Sequence, residues 1–499
     1  MFATTLAPTL TAPHPNPALS LIPTLDRSSL LTDLYQLTMA ACYCGEGLDQ
    51  RPARFELFAR KLPKNFGYLI AMGLSQVLDY LEHFQFTTDQ ITALQNTGLF
   101  QHVPDRFWDV LGTGHFSGDI WAVPEGTVIF ANEPILRVDA PLWQAQIVET
   151  YLLNVINYQT LIATRAARIR DVAGEQAILL EFGTRRAFSP QASLWAARAA
   201  LAGGFDATSN VLAALELGQT PSGTMAHALV MALTALAGSE DQAFTAFHRY
   251  FPDAALLIDT YDTVAAADRL AQKVAAGAPP VQGVRLDSGD LVSLSQSVID
   301  RLPEAQVFAS GDLDEFEIER LRRDGAMIHG YGLGTKLVSG NPVNGVYKLV
   351  DMDGIPVMKE AEGKITYPGC KQVFRQMGPE GVRDRLGLQT EIPGPGEIPL
   401  LQLMMKAGQR VQPPSVVPSN SAPPGVAPGA AAQPGLSQAV HSRCPATQLA
   451  AIAQYTRSQV VQLPAALRRI TNPDPNPVTL SADLEALTAA TRKHSASCR

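Results

Sequence analysis

The chain has 499 residues, 46% of them hydrophobic and 17% charged, with a formal net charge of −8. That apolar content excludes a disordered protein, the lack of an 18-residue apolar run argues against a membrane span, and the acidic balance disfavours a globally basic nucleic-acid binder while leaving room for a local basic site. The five cysteines, Cys42, Cys44, Cys370, Cys444 and Cys498, lack zinc-finger spacing and read as reduced thiols of a cytoplasmic protein. The start of the chain has no basic stretch leading into an apolar run, which argues against a signal peptide. Of the 36 prolines, five fall in residues 1–23 and seven in 413–434, so the folded body is shorter than the chain.

Residues 1–25 read as a flexible extension. A helix is predicted over 27–44, with Leu30, Leu34, Leu37 and Ala41 on one face and Ser28 or Ser29 as its cap. ARFELFARKL (53–62) alternates as a strand with Phe55, Leu57 and Ala59 on one side. Residues 66–98 read as helical, 115–138 as short strands broken at turns such as Pro124-Glu125-Gly126, and about 143–171 as one long helix. From about 175 the pattern changes to strands at 177–182, 256–260, 283–287 and 307–310, alternating with helices at 190–202, 225–237, 261–276, 290–301 and 314–323. Such alternation predicts a parallel α/β sheet or barrel. Gly183, Asp287, Gly289, Gly311 and Asp312 sit just after strands, where α/β folds bind ligands. After 345 the strand-like GVYKLVD and IPVMKE suit a return to the first domain. Residues 412–440 are rich in Pro, Ala, Gly and Ser and read as a disordered insertion; 446–470 is helical again.

Five constellations bear on chemistry. In EFGTRR (181–186) two arginines follow a buried strand, either as a surface turn or as forks for carboxylate or phosphate. In VRLDSGD (284–290) alternation puts Arg285 and Asp287 on one side of a strand, as a ligand-holding pair or a structural one, while Asp290 or Ser288 suits a helix cap. SGDLDE (310–315) and GYGLGTKL (330–337) read as two Gly-rich turns after strands, 20 residues apart, which together suit one phosphate cup; no Walker A loop is present. In SGTMAH (222–227), Ser222 or Thr224 suits a cap, which puts His227 in the first helical turn, where the dipole would stabilise a phosphorylated imidazole. In TDLYQLTM (32–39), Tyr35 lies on a helix, either packed or free to stack on a planar ring.

Taken in order, TDLYQLTM, FELFARKLP, EFGTRR, GGFDATSN, SGTMAH, VRLDSGDL, ASGDLDE and GYGLGTKL resemble nicotinate phosphoribosyltransferase. The resemblance runs from about 30 to 375 and resumes in LQLMMKAGQRV (401–411) and LPAALRRITNPDPNPVTLS (463–481). It implies an α/β fold, an incomplete barrel joined to a mixed β-rich domain built from both chain ends. The parts expected are an extension (1–25), an N-terminal mixed domain (26–170), a catalytic barrel (171–345), returning strands (346–411), an insertion (412–445) and a C-terminal helical segment (446–499).

The resemblance further implies that nicotinate, phosphoribosyl diphosphate and ATP give nicotinate mononucleotide, diphosphate, ADP and phosphate, with Mg²⁺ held through substrate phosphates rather than by direct protein ligands. The active site would lie at the interface of a cytoplasmic homodimer, with no nucleic-acid or membrane partner. By carry-over, His227 is the phosphorylated histidine, and Asp287 and Arg185 join it as catalytic residues. Tyr35, from the partner, and Phe182 would stack on the pyridine ring. Thr224 and Arg285 would meet nicotinate, Arg285 at its carboxylate. Gly311, Asp312, Gly334 and Thr335 would hold the ribose phosphate and diphosphate. Asp206 is the ambiguous residue, because a carboxylate beside the ring would suit an amide better than an acid.

Overall fold

The computed structural model describes residues 24–361, 364–378, 381–411, 445–476 and 478–497. The predicted extension, up to residue 23, and the predicted insertion, over 412–444, lie outside the described residues. Among those described, no helix is long and apolar enough to cross a membrane.

Strands from both ends of the chain share one seven-stranded antiparallel sheet, in the order Ile355–Pro356, Gly345–Met352, Pro52–Ala59, Pro134–Pro141, Asp119–Ala122, Gln402–Lys406, Gln409–Arg410. Phe55, Leu57 and Ala59 are buried as their alternation predicts, and so is Glu56 between them, held by the Lys371 ammonium at 2.8 Å. The predicted helix over 27–44 is broken instead into a 3₁₀ turn, Leu25–Leu30, and a helix, Leu34–Gly45. The break has a tertiary cause. Thr32 donates to the Ile147 carbonyl and Thr150 donates to the Asp33 carboxylate at 2.8 Å, so these short polar side chains are satisfied outside a helix. The stretch 66–98 is likewise interrupted: a strand, Leu69–Ile70, precedes helices Leu74–Glu82 and Thr88–Asn96, the first starting after Gly73 at φ +105° and the second at a Thr87–Gln90 capping box.

The second sheet has six parallel strands: β1 (Ile178–Glu181), β2 (Ala207–Thr208), β3 (Leu256–Leu257), β4 (Gly283–Leu286), β5 (Gln306–Gly311) and β6 (Gly330–Leu333). Their order is β2-β1-β6-β5-β4-β3. The edge strands β2 and β3 do not pair, so the barrel is open, and the chain joining them supplies helices His227–Ala237 and Glu240–Tyr250. The reading of GYGLGTKL as a turn after a strand is corrected here: its first four residues are β6 itself. A Cβ on Gly330 would stand 2.6 Å from the Phe308 ring, and one on Gly332 2.5 Å from the Phe182 ring. These glycines therefore make room for aromatic rings inside the barrel.

Charges buried between the β-rich layers are tightly matched, with one exception. Arg375 binds Asp384 through two bonds of 2.9 and 2.6 Å, yet Glu133 shares the same site, 3.9 Å from Arg375. Glu133 accepts from the Phe130 N–H, and its other oxygen has no hydrogen-bond partner. Burial, then the Asp384 charge, holds its pKa well above the usual carboxylate range. A carboxyl whose pKa rises on folding is at a disadvantage above its unfolded pKa, and the penalty fades as pH falls toward that value. Glu133→Gln is therefore expected to stabilise the fold at pH 8 by about 1 kcal/mol or more, with the gain shrinking toward pH 5. Denaturant titration at the two pH values checks this; a variant less stable than the parent at pH 8 overturns it.

Candidate active site

The carboxyl ends of β1 to β6 bring most of the predicted residues together. Phe182 continues β1, its N–H bonded to the Leu333 carbonyl at 2.7 Å and its ring lying against Gly332. Arg285 on β4 has its guanidinium carbon 6.0 Å from the centre of that ring. It donates to the Thr224 hydroxyl at 3.0 Å and to the Met225 carbonyl at 2.8 Å, while its buried Nε–H has no protein partner. Burial lowers its pKa, opposed by Asp287 and Asp259; a guanidinium stays charged regardless. Phe182, Thr224, Arg285, Phe308 and Gly332 line a cavity of about 550 Å³ inside the barrel, which extends to Ala255, Gly283 and Gln306 at the amino ends of β3, β4 and β5. Arg285 and Asp287 form no direct pair with each other. Arg285 turns to Thr224 and Met225, and Asp287 instead accepts from the Ser310 hydroxyl at 2.5 Å.

His227 is itself the first residue of its helix, with Ala226 in the cap position and no capping side chain. The predicted caps are corrected: Thr224 is taken by Arg285, and Ser222 lies further back, its N–H bonded to the Thr208 carbonyl. The imidazole Nδ1 is 3.1 Å from the Thr260 hydroxyl, and Nε2 is 3.9 Å from an Asp259 oxygen. Asp259 is nearly inaccessible. Its other oxygen accepts from the Asp287 N–H and the Ser288 hydroxyl, while the one facing His227 has no hydrogen-bond partner. Sequence reasoning missed Asp259 and Thr260. The signal was present, because they end the predicted strand LLIDT at the same carboxyl edge as the chosen residues.

The two Gly-rich segments end adjacent strands, Gly311 pairing with Leu333. Gly311 has φ +111°, and a Cβ there would stand 2.8 Å from the Asp287 carbonyl oxygen, so only glycine lets β5 end so close to β4. Asp312 is exposed beyond it, and Gly334 leads into the short helix Thr335–Val338. Lys336, also unassigned by sequence, reaches Asp314 at 3.1 Å beside this cup. Arg185 is exposed on the turn after β1, and its charge is felt by Arg285.

Two residues are not brought to the site. Tyr35 is half exposed on the helix Leu34–Gly45 beside Glu149, and no hydrogen bond or ring contact joins it to the barrel among the described residues. Asp206 binds Arg170 at 2.6 Å and the Leu179 N–H at 2.7 Å, at the opposite ends of β1 and β2. It is thus a structural partner there, and the possible carboxylate beside the ring is withdrawn. Among the described residues no group of three or more His, Cys, Asp or Glu side chains is placed to hold a metal.

An open parallel barrel with an arginine-bearing cavity inside it and a glycine-lined cup at the carboxyl ends of its strands, joined to a β-rich domain from both chain ends, defines the barrel class of phosphoribosyltransferases. Residues 30–157 match the nicotinate phosphoribosyltransferase N-terminal domain, and residues 178–308 match the nicotinate phosphoribosyltransferase family. The nicotinate phosphoribosyltransferase of Bacillus subtilis is 44% identical over 371 residues, 70% of this chain and 73% of its own length. Nicotinate phosphoribosyltransferase pncB2 of Mycobacterium tuberculosis is 41% identical over 397 residues, 77% and 83% of the two chains. The crystal structure of human nicotinic acid phosphoribosyltransferase superposes with a TM-score of 0.75 at 27% identity, covering 92% of this chain and 99% of that one. The chain belongs to the nicotinate phosphoribosyltransferase family.

Proposed function

We propose that this protein joins nicotinate to phosphoribosyl diphosphate in NAD biosynthesis, with ATP hydrolysis coupled to the synthesis. The observation that carries the reading is Arg285, a buried cation held by Thr224 and Met225 against the Phe182 ring, with an unpaired N–H left for a ligand. A planar pyridine with a carboxylate matches an aromatic face and a guanidinium fork. The main rival, a nicotinamide-using enzyme, drew support from a carboxylate near the ring; with Asp206 bound to Arg170, that support is gone.

The ring nitrogen's lone pair forms the bond to ribose C1 as the C1–oxygen bond to diphosphate breaks, its electron pair leaving on the diphosphate. The chain's part is positioning and field. Phe182 and Arg285 orient the ring, Asp287 faces the ribose and its developing positive charge, and Gly311, Asp312, Gly334 and Thr335 supply the phosphate cup. Mg²⁺, a hard cation that prefers oxygen donors, would be held through the substrate phosphates beside the cup of Gly311, Asp312, Gly334 and Thr335, where it would neutralise charge on the diphosphate.

His227 would accept the γ-phosphoryl of ATP: a P–N bond forms as the P–O bond to ADP breaks, and water later cleaves P–N to release phosphate. The helix N-terminus favours the phosphorylated form, and Asp259 and Thr260 orient the ring. Tyr35, exposed in the other domain, would serve the site of a second copy in a homodimer. The free thiols Cys42, Cys44 and Cys370 agree with a cytoplasmic setting.

The test is to supply phosphoribosyl diphosphate with either nicotinate or nicotinamide, with and without ATP, and detect the mononucleotide. Nicotinate mononucleotide formed from nicotinate and increased by ATP is expected. Product from nicotinamide alone overturns the reading.

A further inference from the structure

Glu181 is the last residue of β1, fully buried beside the site, and has no cation at ion-pair distance among the described residues. A buried carboxyl without a cation is costly unless hydrogen bonds replace water. Glu181 meets two donors that belong to different elements. One oxygen accepts from the Gly183 N–H, in the turn that carries Arg185 and Arg186. The other accepts from the Thr208 hydroxyl on β2 at 2.5 Å. Burial raises its pKa, and both hydrogen bonds oppose the rise.

The bonds extend on each side. The Gly183 carbonyl accepts from the Arg186 and Ala187 N–H groups, so it closes the arginine turn. A Cβ at residue 183 would stand 2.2 Å from Val338 and 2.8 Å from the Glu181 carboxylate, so only glycine allows the turn to fold back onto it. On the other side, Thr208 accepts from the Asn210 N–H at 3.0 Å through its hydroxyl and from the Ser222 N–H at 2.9 Å through its carbonyl. Ser222 opens the segment that runs through Thr224 to His227.

We propose that Glu181 is a positioning residue that, without touching substrate, locks the arginine turn and Phe182 to the β2 edge from which the Thr224–His227 segment departs. Two parts of the ring site that are about 40 residues apart in sequence then hold one relative geometry. An apolar residue would leave two buried donors unmet. A glutamine can face only one of them with its acceptor oxygen.

The inference rests on the proposed activity, so its test has one arm that needs turnover and one that does not. Glu181→Gln and Thr208→Val each remove one bond of the lock while keeping side-chain shape. In steady-state kinetics each is expected to raise KM for nicotinate about tenfold, leave KM for ATP within about twofold, and combine in the double variant with no further loss. In amide hydrogen exchange, each is expected to speed exchange across 183–187 while leaving β4 and β5 as in the parent. Unchanged exchange at 183–187 in both variants overturns the inference whether or not the enzyme turns over. So does a uniform rise in every KM accompanied by a loss of thermal stability, which marks a merely structural role. Absence of turnover in the unmodified protein speaks against the proposed activity instead, and leaves the exchange arm to decide.

Discussion

His227→Ala is expected to stop ATP hydrolysis in step with product, lowering it by about 10³-fold or more, while any ATP-independent synthesis remains. The reason is local. The imidazole sits at the first position of its helix, partly exposed, with Nδ1 held by the Thr260 hydroxyl at 3.1 Å and Nε2 facing an Asp259 oxygen 3.9 Å away. The Asp259 oxygen facing Nε2 has no hydrogen-bond partner, so its charge is left to stabilise positive charge on the ring. Among the described residues, no other histidine stands at the carboxyl ends of these strands. Measuring ADP and mononucleotide together checks the prediction; a variant that still turns over ATP in proportion to product removes His227 from the mechanism.

The second large effect falls on Arg285, proposed to meet the nicotinate carboxylate. Arg285→Lys is expected to raise KM for nicotinate about 10²-fold, the equivalent of roughly 3 kcal/mol, with KM for phosphoribosyl diphosphate changed only a few-fold. Lysine keeps the charge but is a single point donor, without the planar fork by which Arg285 places Nη1 on Thr224 and Nη2 on Met225 and keeps Nε–H unpaired. Initial-rate kinetics with each substrate varied in turn checks this. An unchanged KM for nicotinate, with thermal stability intact, would place the carboxylate elsewhere, Arg185 being the next cation to test.

Much of the site was legible because α/β sheets expose their carboxyl ends, and strand-ending residues can be picked from apolar runs followed by Gly or Asp. That rule picked Gly183, Asp287, Gly289, Gly311 and Asp312, whereas Phe182 came from the family resemblance, and applied to LLIDT it would have picked Asp259 as well. It failed where a residue's partner is distant in sequence. Asp206 looked like a ring-facing carboxylate until Arg170, 36 residues earlier, claimed it. GYGL looked like a turn because glycine is a turn residue, whereas Gly330 and Gly332 are strand positions kept small for the rings of Phe308 and Phe182. Helix 27–44 has helical periodicity throughout, yet Thr150 and Ile147 draw Thr32 and Asp33 out of it.

The opening composition marked clustered prolines and an acidic chain. By itself the sequence determined the alternation of strands and helices, the order of the chemical motifs and the family they resemble, since these depend on local periodicity and residue type. Only the tertiary structure decided that the barrel stays open between β2 and β3, that Arg285 pairs with Thr224 rather than Asp287, that Asp259 faces His227, and that Glu181 joins the turn after β1 to β2. Apart from the local Glu181–Gly183 bond, those features are pairings between residues roughly 30 to 60 positions apart. Their energies come from burial and hydrogen-bond geometry, which exist only once the strands lie side by side.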